Sequence, residues 1–308
     1  MDNNYSEHNW ERSQKIIEIS LTEVQITFPE LKITSISSIL NGCRNTNYII
    51  HSTNHKYLLR LFSDKNELIN NEINAYKLLH IYVNMPNLIA VGQILDYKYI
   101  LYEFIEGEIF QSYIDFNKFV SEDCIRQVAN NLALIHNAEI NNCSLFVSFD
   151  LPPYNQWYSY FLSSLFLQKR LGKDLLKQVT GYLDANKIFF DEIESYQSLI
   201  HCDFRPANMI LSSSQKLYII DWEYSGKGHS LADIGQFFRY SRYFTQKNRD
   251  QFFEEYNRLA ILKLPDNWYK LCRIRDLVNP LQLLGSEQEK PIMYKDLLNV
   301  VKDIISEN

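Results

Sequence analysis

Cysteine is sparse and unorganised in this 308-residue chain. The five cysteines, Cys43, Cys124, Cys143, Cys202 and Cys272, are odd in number and scattered, and none stands in a Cys-x-x-Cys pair. That pattern supports neither a disulfide framework nor a cysteine zinc site, and it makes a reducing cytoplasm the expected compartment. Long apolar runs are missing as well, so no membrane span is expected. The first ten residues, Met1 to Trp10, are polar and acidic where a secretory leader is basic and then apolar, so the mature protein is expected to begin near residue 1. Internal repeats and low-complexity linkers are absent from the sequence.

Basic charge is also in short supply. Against 37 acidic residues stand 31 Lys and Arg, for a formal charge of −6 and a pI near 5.7. A protein that grips nucleic-acid phosphates needs concentrated positive surface, so nucleic acid is not an expected partner. The acidic balance suits a cationic ligand instead. Residues 104–150 carry Glu106, Glu108, Asp115, Glu122, Asp123, Glu139 and Asp150 against Lys118 and Arg126, although a solvated helical face would show the same bias. What is present is ordinary for a globular protein: 46% hydrophobic and 22% charged residues, with enough length for two lobes.

The pattern along the chain changes character twice. Apolar positions Ile16, Ile17, Ile19, Leu21, Val24 and Ile26 suggest one helix over about 10–28, ended by Pro29. Short β-branched and aromatic runs follow at about 33–40, 48–52, 57–62, 88–95 and 99–102. They predict a five-stranded antiparallel lobe interrupted by a helix over about 65–82, capped by Ser63 or Asp64. Residues 103–107 read as a hinge, where a strand ends and Gly107 lets the chain turn. Beyond it the period is mainly helical: Ser121 caps a helix bearing Ile125, Val128, Leu132 and Ile135, and two helices follow Pro152-Pro153 over 151–196. The expected domains are therefore 1–103, a mainly β lobe, and 104–308, a mainly helical lobe interrupted by a loop and short strands over about 199–221.

That loop is Leu199-Ile-His-Cys-Asp-Phe-Arg-Pro-Ala-Asn208, followed by the strand-like Lys216-Leu-Tyr-Ile-Ile-Asp-Trp-Glu223. Phosphoryl transfer requires a carboxylate beside the acceptor hydroxyl, an amide oxygen on a metal and a second carboxylate between metal and phosphates. Asp203, Asn208 and Asp221 stand at the spacing those roles require.

With Asn41-Gly-Cys-Arg-Asn-Thr-Asn47, Tyr57-Leu-Leu-Arg-Leu61, Asn71-Glu-Ile73, Glu103-Phe-Ile-Glu-Gly-Glu108 and Leu231-Ala-Asp-Ile-Gly235 in order, the chain resembles the aminoglycoside phosphotransferase and choline kinase superfamily. The resemblance spans roughly residues 36–245. It implies an α+β, bilobal protein-kinase-like fold that uses ATP, with GTP not excluded, and Mg²⁺, with 1–103 as the nucleotide-binding lobe and 104–308 as the helical lobe carrying the catalytic loop and acceptor site. It further implies that Asn208 and Asp221 hold the metal, that Asp203 is the base, and that Arg205 reaches the transferred phosphoryl group or pairs with a nearby acid. Arg60 stands where the family usually has lysine, with Glu72 bracing it and Leu58 on the same strand face, over the adenine. Gly42 lies in the turn over the phosphates, and the backbone of Glu103, Phe104 and Ile105 meets the base. His201 is expected to bond backbone near Asp221, and Asp233 to hold catalytic-loop amides. Glu223 is left between an acceptor-site or metal role and a capping or surface one, and His136 reads as a core histidine.

The acceptor is expected to be a small hydroxylated molecule, with an aminoglycoside-like antibiotic as the first guess and hence a link to antibiotic resistance. Choline, ethanolamine, thiamine and sugars are the alternatives. The aromatic run Tyr154, Trp157, Tyr158, Tyr160 and Phe161 is open to two readings, a cage for a quaternary ammonium or plain packing. A catalytically silent nucleotide-binding protein is the competing class, favoured by Arg60 and the glycine-poor turn. A protein kinase is disfavoured by Trp222-Glu223 and the short stretch from Asp221 to Asp233. A monomer and a homodimer are both compatible with the sequence.

Overall fold

The computed structural model describes residues 10–40, 42, 44–63, 67–147 and 153–307. Its first helix, α1 (Leu21–Thr27), is far shorter than the expected 10–28. Ser20 and Glu23 form a capping box that starts the helix at Leu21, so residues 10–20 run outside any helix. The apolar positions still find the core: Ile17, Ile19 and Val24 are buried against the sheet. In place of helical bonds, the Ile17 amide donates to Thr46 Oγ1 at 3.0 Å and the Tyr48 hydroxyl donates to Ile17 O at 2.8 Å.

The sheet has strands β1 (Ile33–Ile39), β2 (Thr46–Ser52), β3 (Lys56–Leu61), β4 (Leu88–Ile94) and β5 (Tyr97–Glu103), antiparallel throughout in the order β1-β2-β3-β5-β4. Alternation sorts its side chains. Tyr48, Ile50, Leu59, Leu61, Tyr99 and Leu101 pack with Val24 and Phe28 on one face, while Leu58, Phe62, Ile100 and Tyr102 meet helix α2 (Leu68–Leu79) on the other. Helix α2 is shorter than expected. Glu67 occupies the N-cap without a side-chain bond, and Asp64 lies outside the described residues. The C-terminal half of α2 enters the second lobe's core through Ala75 and Leu79, so one helix is shared by both lobes.

The second lobe begins with β6 (Gly107–Ile109), α3 (Phe110–Asn117) and α4 (Glu122–His136), then α5 (Tyr154–Leu162), α6 (Leu165–Asn186) and α7 (Phe190–Ser195). Strands β7 (Gln197–Ile200), β8 (Met209–Ser212), β9 (Leu217–Ile219) and β10 (Gly226–His229) surround the predicted loop, and α8 (Ser230–Phe237), α9 (Gln246–Leu259), α10 (Trp268–Asp276), α11 (Val278–Leu284) and α12 (Pro291–Ser306) complete it. Ser121 caps α4 as expected, accepting from the Cys124 amide. The two helices expected over 151–196 are three, because Ser164 caps a new one at Leu165. The α+β bilobal class is the observed one.

Gly107 does not serve as a turn glycine. A Cβ there would lie 2.4 Å from Leu211 O, so its value is the close approach of β6 to β8. The aromatic run is packing: Tyr154, Trp157 and Tyr158 are buried, the hydroxyls of Tyr154 and Tyr158 both donate to Ile274 O, and Tyr160 is exposed. Any cage it offers is filled from within, since the Arg275 guanidinium lies 4.6 Å from the Trp157 ring centre.

Against that cluster sits His229, whose Nδ1 accepts from Arg275 Nε at 3.0 Å. Burial, then the Arg275 charge, push its pKa from 6.5 down to about 4, while Glu194 acts the other way. The folded chain resists a proton that the unfolded chain accepts, so stability is full above pH 6.5 and drains away as pH falls toward 4. Thermal melts at pH 7 and pH 5 should show the His229→Gln variant losing less stability on acidification than the parent, by an amount on the order of 1–3 kcal/mol. Parallel losses in the two proteins would contradict this.

Candidate active site

The loop between β7 and β8 is held from below by one carboxylate. Asp233, fully buried on α8, accepts the amide of His201 at 2.7 Å and that of Cys202 at 2.9 Å. Gln236, one helical turn on, accepts the Phe204 amide at 2.8 Å and donates to Cys202 O at 2.9 Å. Four bonds therefore fix His201, Cys202 and Phe204 on either side of Asp203, and Cys202 takes the left-handed φ of 69° that side-chain-bearing residues rarely adopt. Such strain persists only where surrounding bonds over-determine the backbone. His136 closes the support from behind, with Nε2 3.4 Å from Asp233 Oδ2 and Nδ1 2.8 Å from the Tyr256 hydroxyl.

His201 joins this loop to the second acidic segment. Its Nδ1 accepts the Asp203 amide at 3.3 Å, so Nε2 carries the proton and donates to Ile220 O at 3.0 Å. The Ile220 amide in turn donates to Asn208 O at 3.0 Å. These bonds bring the ends of β7, β8 and β9 together and set Asp221, with φ of 70°, beside the loop that bears Asp203 and Asn208. Asn208 directs its amide nitrogen to Asp203 O and Oδ2 at 2.8 and 2.7 Å, which leaves its amide oxygen as a ligand atom.

Arg205 grips the Asp203 carboxylate with two nitrogens, Nε at 2.6 Å from Oδ1 and Nη2 at 2.8 Å from Oδ2. Burial would raise the Asp203 pKa, but Arg205 first, then His201 and Asn208, hold it below the usual carboxylate range. Asp203 is therefore ionised and able to receive a proton.

Arg60 reaches the site from β3. Its Nη2 lies 2.5 Å from Asp221 Oδ1 and 3.7 Å from Glu223 Oε2, and its Nε is 3.4 Å from Glu72 Oε2. Leu58 shares its strand face, half-buried beside Tyr102. Burial works against the Arg60 charge, but the three carboxylates raise its pKa well above the ordinary value. The acids are in excess, and it shows: burial and the neighbouring charges of Asp221 and Glu223 push Glu72 up to about 7, against the pull of Arg60 and of the Tyr102 hydroxyl, which donates to it at 2.7 Å. Glu223 is raised for the same reasons, burial and then Asp221. Three carboxylates surround Arg60, with Arg44 acting on Glu223 from the β1–β2 turn, and they still outnumber the two cations by one charge that a divalent cation would neutralise. Asp221 and the Asn208 amide oxygen are the hard donors such a cation takes, with the rest from phosphates and water. No cluster of three or more His, Cys, Asp or Glu poised for a metal occurs among the described residues.

Glu223 is neither a cap nor a surface acid. It is buried, accepts Asn45 Nδ2 at 2.7 Å, and its backbone oxygen accepts Asn71 Nδ2 at 3.0 Å. Asn45 lies in the β1–β2 turn and Asn71 on α2, so this one residue is bonded to the first lobe twice. Sequence reasoning assigned neither asparagine a role. Both lie inside motifs that carried the resemblance, but an amide that bonds across lobes has no periodicity to betray it. The turn itself contains Gly42 at φ of 110°, while Asn41 and Cys43 lie outside the described residues. In the hinge, the amide of Glu103 donates to Asn87 O and that of Phe104 to Lys56 O. The Ile105 amide has no backbone acceptor among the described residues.

A family model described as "Phosphotransferase enzyme family" matches residues 35–271. Among curated proteins, LicA of Haemophilus influenzae is 32% identical over 203 residues, covering 64% of this chain and 56% of LicA. Human ethanolamine kinase 1 is 25% identical over 235 residues, 68% of this chain and 46% of that protein. The chain thus spans about half the length of these relatives. Among solved structures, spectinomycin phosphotransferase APH(9)-Ia in complex with ADP and spectinomycin superposes with a TM-score of 0.70 at 15% identity, over 94% of this chain and 99% of that one. Choline kinase LicA from Streptococcus pneumoniae superposes at 0.64 and 16% identity, over 93% and 99%.

Replacing Asp233 by Ala strands two backbone amides. Urea denaturation should show a loss of about 2–5 kcal/mol, against about 1–2 for Gln236→Ala, whose bonds to the same loop are neutral rather than charge-assisted. Equal losses for the two variants would mean that Asp233 is not the main support of the loop.

Proposed function

The chain belongs to the phosphotransferase enzyme family, and on that premise we propose that it transfers the γ-phosphoryl group of ATP to the hydroxyl of a small amino alcohol, choline or ethanolamine being the first to test. The observation that carries the reaction is the convergence of Asp203, Asn208, Asp221 and Arg60 at the junction of the lobes, tied by the bonds from Asn208 to Asp203 and from Arg60 to Asp221. Asp203 orients the acceptor hydroxyl and takes its proton as the new P–O bond forms. The bond from the γ-phosphorus to the bridging oxygen breaks, and ADP leaves. Arg60, released from Asp221, pairs with the phosphates, and Glu72 keeps it on the cleft side of β3. Magnesium, held by Asn208 and Asp221 when nucleotide is bound, supplies charge neutralisation on the phosphates. The Ile105 amide offers the adenine a donor, beside half-buried Leu58.

The acceptor class rests on two supports. The relatives by sequence include LicA and an ethanolamine kinase, whereas the aminoglycoside enzymes are neighbours in fold. Beyond Arg205, the Trp10 indole and the Tyr240 hydroxyl both donate to Asp296 Oδ2, at 3.2 and 2.7 Å. The charge of that carboxylate is what would draw an ammonium, since the guanidinium groups of Arg205 and Arg242 already face the two rings, at 5.5 and 5.1 Å. An aminoglycoside, the first guess from sequence, stays in the test panel with thiamine and sugars.

ADP release should be measured with ATP and Mg²⁺ across that panel, with Asp203→Asn beside the parent. Choline or ethanolamine should stimulate turnover in the parent, and the variant should lose on the order of 10²- to 10⁴-fold in kcat. Turnover with an aminoglycoside alone would overturn the acceptor assignment. No turnover with any acceptor would move the protein to the catalytically silent class.

A further inference from the structure

Residues Trp10, Glu11 and Arg12 lie outside every motif that carried the resemblance, yet they are bonded to the β1–β2 turn at one end and to α12 at the other. Arg12 donates through Nη1 to Gly42 O at 2.7 Å and through Nη2 to Arg44 O and Asn45 O at 3.1 and 3.0 Å. Those three carbonyls belong to the β1–β2 turn. Glu11 accepts the amides of Ile292 and Met293 at 2.8 and 3.2 Å, at the start of α12 in the second lobe. Trp10 bonds Asp296 on the same helix, and its ring lies 5.5 Å from the Arg205 guanidinium.

We propose that Trp10–Arg12 is a positioning strap, in which Arg12 sets the nucleotide turn of the first lobe and Trp10 sets the Arg205 guanidinium beside Asp203 in the second. The proposal rests on the phosphotransferase reading of the site. A turn between two strands exposes carbonyls that water ordinarily satisfies, and a turn so solvated samples many shapes. The planar guanidinium of Arg12 fixes three of them in one arrangement. The effect passes inward, because Asn45, whose carbonyl Arg12 holds, also donates to Glu223, and Glu223 lies beside Arg60. At the other end Trp10 covers the arginine that grips the Asp203 carboxylate. Glu11 anchors the strap between these two ends through the amide bonds at the start of α12. Lysine cannot replace arginine here, since one ammonium on a flexible stem does not fork to three carbonyls in fixed geometry.

The test uses the full chain with Mg·ADP as probe, alongside steady-state kinetics with the acceptor that the panel identifies. Arg12→Ala should weaken Mg·ADP binding by calorimetry on the order of tenfold, with Arg12→Lys in between, because charge-assisted hydrogen bonds are lost from the turn. Its KM for ATP should rise while the KM for the acceptor stays within about twofold. Trp10→Ala should do the reverse, leaving Mg·ADP affinity unchanged and lowering kcat or raising the acceptor KM about fivefold or more. A strap that merely stabilised the fold would lower the melting temperature in both variants and split neither constant from the other. Mg·ADP affinity within twofold of the parent in both Arg12 variants would overturn the proposal. Should Arg12→Ala fail to fold, Arg12→Lys decides alone. A parent that binds Mg·ADP but phosphorylates nothing would count against the proposed function, and the Arg12 affinity ratio would still decide the role of the strap.

Discussion

Arg60 is buried with Asp221, Glu72 and Glu223 around its guanidinium, and the relation between the lobes follows from how that charge is balanced. Arg60 and Glu72 come from the first lobe, Asp221 and Glu223 from the second. Separating the lobes would leave buried charges without partners, a cost of several kcal/mol that keeps the four together. Even so the cluster is unbalanced. Glu72 rises to about 7 because it is buried and because Asp221 and Glu223 crowd it beside Arg60. A site left electrically incomplete in this way is suited to a ligand that brings a cation with it, and to an arginine that changes partner when it does.

Around this cluster the remaining polar groups act as supports of graded rigidity. Asp233 and Gln236 fix the backbone of the loop, His201 ties the loop to the segment before Asp221, and Asn208 fixes the Asp203 carboxylate. The groups expected to meet the phosphates are held less from within. The β1–β2 turn owes its shape to Arg12, from a segment that belongs to no strand or helix, and the hinge owes the register of its first residues to Asn87 and Lys56. On the proposed reading, preorganisation is strongest at the base and weakest where nucleotide would enter and leave.

Much of this was legible in the sequence because local periodicity carried it. Strands near 33, 48, 57, 88 and 99 announced themselves by β-branched and aromatic alternation, and helix α4 by its Ser121 cap and apolar stripe. His201 and Asp233 could be placed because a motif fixes their spacing, and their bonds fall where that spacing put them. The helix expected over 10–28 failed for a physical reason. Ile17 and Ile19 are apolar because one wall of the sheet needs them, and an extended segment buries them as well as a helix does. What lay beyond reach was contact across the lobes. Nothing in the spacing of Asn45, Asn71, Trp10 or Arg12 reports that their partners lie far along the chain, and the aromatic run over 154–161 turned out to be filled by Arg275, a residue more than a hundred positions away.

The central claim is that the acid surplus around Arg60 is completed by a metal-bound nucleotide. Thermal unfolding of the parent with ADP should be followed with Mg²⁺ and again with the metal chelated. The account predicts a clear rise in melting temperature with Mg·ADP and little with ADP alone, because the nucleotide's own negative charge would meet uncompensated carboxylates. An equal rise without metal would contradict it, and would mean that Arg60 alone balances both the acids and the phosphates.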